Sequence, residues 1–552
     1  MTGLNKNTFL LNIIFCGLFI LFTSNQGYSF QSPPENDLFH SIKLRNLNIS
    51  VSDVFDPDED VYKYRFARIA NKIHLNTKNY VVERELLFLS DSLITPLRLS
   101  ESANNLRNLG IFQKVHFDLD TLNSEYADLN VSVKDYFSSD IGVAFSLEAG
   151  EIRGGITLKD FNLLGRGYKF RLGVSNRGDR KFGKLSFTNP RFFSTRFGNK
   201  VEIIKFKDGE SRFFSLNRHY YTQEMKWDMG GDFQSYKGKI YEYTSGDTYL
   251  KRDWELKQVQ TFYGKYFGDG MLFRTGIKYF HQDEIGNYGN SSSAEPDWKS
   301  RRISFTFGGI NRDIYVKQNV DYIDIDEDIH TGFLFNTGIG LDLEGLDSNR
   351  KRYVLGFRTL LSEQISNKGH FYLEFGYGTF RDHRVNYANK INARITFFSK
   401  LIEKHTICIK GEFNYLDSHR EFDQFYLGTN SGLRGLDKRE LIGTRRLFFN
   451  IEDRIFSNIY FWFIQLGANI FVDTGTMWDT RMDFNNSGWR TSAGLGLRFG
   501  IPKLTSGIIR VDLAYNFESR NVSVPSISNG SYFRVVYPMQ IGLKNFANLI
   551  SY

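Results

Sequence analysis

Apolar side chains recur at every second position over most of this chain. In Asp140–Glu148 the residues Ile141, Val143, Phe145 and Leu147 are large and apolar, while Gly142, Ala144, Ser146 and Glu148 are small or polar. A period of two places these sets on opposite faces of a strand. The same pattern continues, with turn residues between runs, through residues 138–552. That is too many strands for an ordinary sandwich. A closed wall with lipid outside and a polar lumen inside fits better. Short connections such as Leu163-Leu164-Gly165-Arg166-Gly167 alternate with long polar ones such as Gln282–Arg301, the asymmetry of membrane barrels.

Residues 41–135 follow another rhythm. Ile42, Leu44, Leu47, Ile49 and Val51 predict a strand, and Phe66, Ile69 and Ile73 have helical spacing. Val81–Ser90 reads as a helix. A second helix is predicted from Ser100, as N-cap, to Gly110. Two alternating triplets, Val115, Phe117, Leu119 and Leu129, Val131, Val133, predict a final strand pair. Ahead of this segment, residues 30–40 read as a linker containing Pro33-Pro34. Residues 1–29 read as a signal peptide, with Lys6, the apolar run Phe9–Phe22 and Gly27-Tyr28-Ser29. Its removal leaves Cys408 alone, so no internal disulfide is expected.

Composition sharpens the barrel reading. Aromatics make up 16% of the chain while hydrophobic residues reach only 41%, with mean hydropathy −0.37. Aromatic girdles around a half-polar wall give that balance. After residue 30 nothing is apolar for the roughly 20 residues a spanning helix needs. The net charge of +8 is interspersed rather than blocked, which argues against nucleic acid as a partner.

Far down the chain, Phe425–Leu436 reads F-Y-L-G-T-N-S-G-L-R-G-L, and Gly432 and Gly435 flank one cation, Arg434. Two strands follow. In the first, parity turns Arg446, Asn450, Glu452 and Arg454 toward the lumen. In the second, Trp462–Asp473, the apolar set Trp462, Ile464, Leu466, Ala468, Ile470 and Val472 faces outward, so Asp473 points inward. A loop that returns into a lumen needs an anchor, and a guanidinium–carboxylate pair is charge-assisted and directional.

Leu433-Arg434-Gly435-Leu436, with Phe471-Val472-Asp473-Thr474-Gly475, Gly494–Arg498 and Arg510–Ala514, resembles the outer-membrane insertase and translocator superfamily that includes BamA, TamA and the two-partner secretion transporters. Asp160–Gly167 and Thr188–Phe193 look like the opening strands and turns of a BamA-type barrel. Tyr80–Asp135, with V-V-E-R-E-L-L-F, L-R-N-L-G-I-F-Q-K-V and L-N-V-S-V-K-D, resembles a POTRA domain. The resemblance implies an all-β transmembrane barrel of about 16 antiparallel strands over 138–552. It adds a small N-terminal α+β POTRA-like domain over 41–135. It places the barrel in a Gram-negative outer membrane and that domain in the periplasm. The implied partners are unfolded outer-membrane or exported polypeptides, membrane lipid and accessory assembly lipoproteins. Arg434 is expected to pair with Asp473, with Glu452 as a neighbouring acceptor. Leu433 and Leu436 complete the loop motif.

Phe533–Lys544 alternates and resembles a closing C-terminal strand, with Gly542 and Phe546 in place and Pro538 unable to donate to a ladder. It is expected to meet the first strand at Ile141, Val143 and Phe145 in a weak lateral seam. The function implied is assembly of other barrels through that seam. The alternative is two-partner secretion through the lumen, and a passive porin is a third class.

No catalytic set emerges. Gly178–Lys184 has phosphate-loop spacing but is followed by Leu185 instead of Ser or Thr. Gly428–Gly432 has its serine in the wrong place for a nucleophile elbow. Asp321, Asp324, Asp326 and Asp328 lack the Gly and Glu of a calcium loop, which predicts a solvated acidic loop. Neither an enzyme nor a metal or cofactor is expected.

Overall fold

The structure is a computed structural model. It describes residues 42–539 apart from 89–90, 122–124, 149–150, 177–179, 245–246, 287–296, 384, 401, 419–422, 430, 480–483, 505–507 and 524–525. The predicted signal peptide and linker, and the seam residues Gly542 and Phe546, lie outside the described residues.

The N-terminal segment forms a three-stranded sheet covered by helices. Its strands are β1 (Lys43–Ser52), β2 (Phe112–Thr121) and β3 (Tyr126–Asp135), with β3 central, parallel to β1 and antiparallel to β2. The helices are α1 (Arg65–Ile73), α2 (Asn79–Glu83) and α3 (Pro96–Asn108). Two predicted boundaries move. The helix expected over 81–90 ends at Glu83. The second begins at Pro96, because Thr95 accepts the Arg98 amide as N-cap with proline in the first turn, so Ser100 is interior. Leu44, Val82, Leu106, Leu129 and Val131 close the core between sheet and helices.

From Ser139 the chain builds a closed antiparallel barrel. Its sheet has 21 strand segments among the described residues. Asn521–Val522 and Ser526–Asn529 lie end to end along Ile508–Asn516 and share one position, which leaves 20, more than the resemblance implies. Alternation decides the facing. In Arg445–Phe461, Phe449 and Ile451 are exposed to the outside while Asn450, Glu452 and Arg454 are buried in the lumen. In Ile464–Trp478, Ile470 and Val472 are exposed while Asn469, Phe471 and Asp473 are buried.

The closing position departs from expectation. Among the described residues two pairs, Ser526 with Ser146 and Ile527 with Phe145, join the last wall segment to the first strand, Ser139–Glu148. By contrast, Asp297–Gln318 and Asp326–Asp342 pair without interruption from Arg302 to Gln318. At Gly530 (φ 81°) the chain leaves the wall and turns into the lumen. Phe533–Met539 is therefore not a strand. Phe533, Val535, Val536 and Met539 are buried against lumen-facing Tyr220, Ile310, Leu334, Leu360, Tyr372 and Phe398, and Pro538 stands exposed off the wall. The physical reason is local. Asp321 accepts the consecutive amides of Val535 and Val536, at 3.1–3.2 Å, and a strand would point those amides in opposite directions.

The N-terminal domain sits on the barrel rim where the shorter turns lie. Lys78 donates its amide to Gly165, Arg196 reaches Leu86 O and Lys503 pairs with Glu59 at 2.7 Å. Helix α3 docks deepest. Glu101 accepts from the Thr222 hydroxyl at 2.6 Å and from Arg312 at 2.9 Å, while Arg107 pairs with Asp328.

Candidate functional site

The loop after His405–Ser418 returns into the lumen and delivers Arg434 to its middle. Gly435 sits at φ 79°, a left-handed conformation, and a Cβ there would lie 2.9 Å from that of Ala514. Gly432 is also left-handed at φ 136°. Leu433 and Leu436 fill an apolar pocket with Leu427, Phe448 and Met477, which pins the loop on both sides of the arginine.

Arg434 is 1% exposed. Its Nε donates to Asp473 Oδ2 at 2.8 Å and its Nη2 to Oδ1 at 2.9 Å, a bidentate fork. Its Nη1 donates to Glu452 Oε2 at 2.6 Å, and its own amide adds a bond to Asp473 at 3.1 Å. The guanidinium lies 3.5 Å from the Phe471 ring centre and 4.3 Å from that of Tyr532. Asn450 bridges Asp473 to the Gly432 carbonyl, and Ser492 donates to the Arg434 carbonyl. Asn450, Asp473, Ser492 and Asn516 are successive register partners on four neighbouring strands. The loop is thus held across four strands.

The network extends beyond the residues legible from the motif. Glu452 also accepts from Arg454 at 2.8 Å and from Arg498. Arg454 donates to Asp321 at 2.8 Å and to the Phe533 carbonyl at 2.7 Å. Arg510 pairs with Asp512 at 2.6 Å beside Arg434. Four guanidiniums, of Arg434, Arg454, Arg498 and Arg510, thus meet four carboxylates, of Glu452, Asp473, Asp512 and Asp321. Near-neutrality is what allows so many charges to be buried.

Asp321 overturns the expectation of a solvated acidic loop. It is 1% exposed, because the turn between Gln318 and Asp326 folds inward, and it ties Arg454 to the C-terminal segment. Asp328 is spent on Arg107. The loop anchor and the C-terminal segment therefore form one hydrogen-bonded unit, from Asp473 through Arg434, Glu452, Arg454 and Asp321 to Val535.

The seam residues divide. Ile141 is exposed on the first strand, and Phe145 pairs with Ile527 through the backbone. Val143 lies on the same strand, between Ile141 and Phe145. Pro538 is in the C-terminal segment away from this strand, so the partner of the first strand is Ser526–Asn529.

No curated protein matches the chain in sequence. Among solved structures, the chain is similar to BamA from Haemophilus ducreyi lacking POTRA domains 1–3, at 15% identity and TM-score 0.37, over 89% of this chain and 83% of that one. It is similar to CdiB from Acinetobacter baumannii at 13% identity and TM-score 0.43, over 89% and 74%. CdiB from Escherichia coli follows at 10% identity and TM-score 0.44, over 88% and 75%. Residues 368–525 match the Omp85 superfamily domain, and this stretch contains Arg434, Glu452, Asp473 and Asp512. That match falls on the part of the wall that carries the arginine loop and its carboxylates, and there the chain is similar to the Omp85 superfamily domain.

Proposed function

We propose that this protein assembles other barrel proteins into a Gram-negative outer membrane, with residues 41–135 as a periplasmic POTRA-like domain. Its substrates are unfolded outer-membrane polypeptides. The single observation that carries this reading is the closing position of the wall. Two residue pairs join Ser526–Asn529 to the first strand, and toward the domain-side rim Ser139–Ala144 lacks a partner on that side among the described residues. An unpaired edge is a template for strand addition. The lumen, in contrast, holds the arginine loop, the inward turn at Asp321 and the C-terminal segment. Lateral release needs fewer bonds broken than passage through that lumen, which favours insertion over two-partner secretion. The anchor of Arg434 on Asp473 and Glu452 serves to keep the wall opposite the loop rigid while the seam opens.

The test is a seam lock. Ser146 and Ser526 are directly opposed, so a Ser146→Cys/Ser526→Cys pair has the spacing a disulfide needs. Cells depleted of the protein and carrying the locked variant are expected to lose outer-membrane barrels generally, with recovery on reduction. Thr474→Cys/Thr491→Cys, opposed elsewhere in the wall, is the control and should leave barrels intact. Full function of the oxidised seam variant would sink the lateral route. Loss of one exported polypeptide, with other barrels intact, would favour secretion.

A further inference from the structure

We infer that helix α1 is a lipid-surface anchor, docking the N-terminal domain onto anionic phospholipid along the rim beneath the seam. This goes beyond the seam's function and needs only that the barrel spans a membrane.

The helix carries three separate faces. Ala67, Ala70 and Asn71 turn toward the domain, where Ala67 is buried with Val54 and Phe55, and Asn71 exchanges hydrogen bonds with the Phe55 backbone at 2.8 and 3.1 Å. Phe66, Ile69 and Ile73, at spacings of three and four, form a second stripe. Ile69 is 48% and Ile73 64% exposed, and Leu75 just beyond the helix is 55% exposed. Arg65, Arg68 and Lys72 form the third face, all exposed and in no ion pair among the described residues. An apolar stripe flanked by unspent cations is the arrangement of a helix lying in a membrane interface.

The stripe is continuous with the lipid-facing wall. Phe66 packs against Phe463, with ring centres 4.9 Å apart and the ring planes tilted by 51°. Phe463 lies in the tight turn after Arg445–Phe461, where Ile459, Tyr460, Phe461 and Trp462 are all more than half exposed. Aromatic residues at that level are interface anchors. At its other end, α1 is followed by Lys78, whose amide bonds Gly165 in the turn after Glu151–Leu163. In the sheet order, the seam between Ser526–Asn529 and Ser139–Glu148 lies between those two turns. The helix therefore runs along the rim on the seam side, with its apolar stripe level with the wall's lipid-facing aromatics. Three cations beside that stripe fit phosphate headgroups better than a neutral surface.

The full chain with Ile73→Cys or Asp53→Cys, each carrying a thiol-linked fluorophore, tests this in vesicles of phosphatidylcholine with and without phosphatidylglycerol. Cys408 is fully buried, and Asp53 is an exposed reference in the same domain. Quenching by brominated lipid is expected at position 73 and not at 53, more strongly with phosphatidylglycerol. Each of Arg65→Gln, Arg68→Gln and Lys72→Gln should lower the bound-to-free ratio about fivefold, the factor that ~1 kcal/mol per basic residue gives at an anionic surface. Equal quenching at 73 and 53 overturns the proposal. So does a label at 73 shielded from both lipid and aqueous quenchers, which would mean a protein occupant. Lipid quenching that ignores the three neutralisations overturns the anionic-headgroup part.

Discussion

Arg434 shows what one side chain can do when its surroundings are fixed by period-two strands. Its five donors face a bidentate carboxylate, a second carboxylate and two aromatic rings. Removing it leaves Asp473 and Glu452 buried with fewer cations. Arg434→Ala is expected to cost about 3–5 kcal/mol, read as a lower temperature for loss of the folded band on unheated gels. Arg434→Lys keeps the charge but not the fork and should fall between. Equal mobility transitions for all three proteins would remove the anchor role. At this scale the sequence was readable because alternation alone turns Asp473 and Glu452 inward. Asp321 was not, since it sits in a turn, where no periodicity reports direction. Neither was the bond of Arg498 to Glu452, since it depends on how the strands between them are shifted against each other.

At the scale of elements, the C-terminal segment is the instructive case. Phe533, Val535, Tyr537 and Met539 alternate as a strand would, yet Val535 and Val536 are both buried. An apolar segment can cover an apolar patch on the lumen wall as readily as it can face lipid, and its sequence does not tell the two apart. What decides is a partner more than 200 residues away, the Asp321 carboxylate. Asp321→Ala removes both amide contacts and one partner of Arg454. Trypsin cleavage after Arg534, whose side chain is 55% exposed, should then quicken several-fold, measured by mass spectrometry of the released C-terminal peptide. An unchanged cleavage rate would mean the apolar contacts alone hold the segment. The helices show the same limit more mildly. Val81–Ser90 has helical composition, but the chain departs from helix after Glu83, and Glu85 and Leu86 serve the barrel contacts of Arg191 and Arg196.

For the whole molecule, Arg312 is where domain, wall and C-terminal segment meet. It donates to Glu101 on α3 at 2.9 Å and to the Met539 carbonyl at 3.2 Å. Arg312→Ala should loosen both at once, with faster proteolysis at the junction near Tyr136–Ser138 and after Arg534. Arg98→Ala, which breaks the partly exposed pair with Glu224 and a bond to the Leu93 carbonyl, should change neither measurably. If Arg312→Ala affects only one site, domain docking and the lumen segment are uncoupled. The barrel itself was legible from alternation over hundreds of residues. Its strand ends were not, because a long polar stretch in sequence can be the end of a strand standing clear of the membrane. Gln282–Gly286 and Asp297–Arg301 belong to strands that continue into the stretch read as loop.

The partners of Arg434 share one further property, their place in the order of synthesis. Glu452, Asp473, Ser492, Asp512 and Tyr532 all come after it along the chain. A barrel that has received its loop but not yet its last strands carries a cation in the lumen with little to neutralise it. Each strand added from Arg445 to Asn516 contributes part of the missing countercharge or a hydrogen-bonding group. The loop therefore has its full set of partners only when the wall is nearly complete.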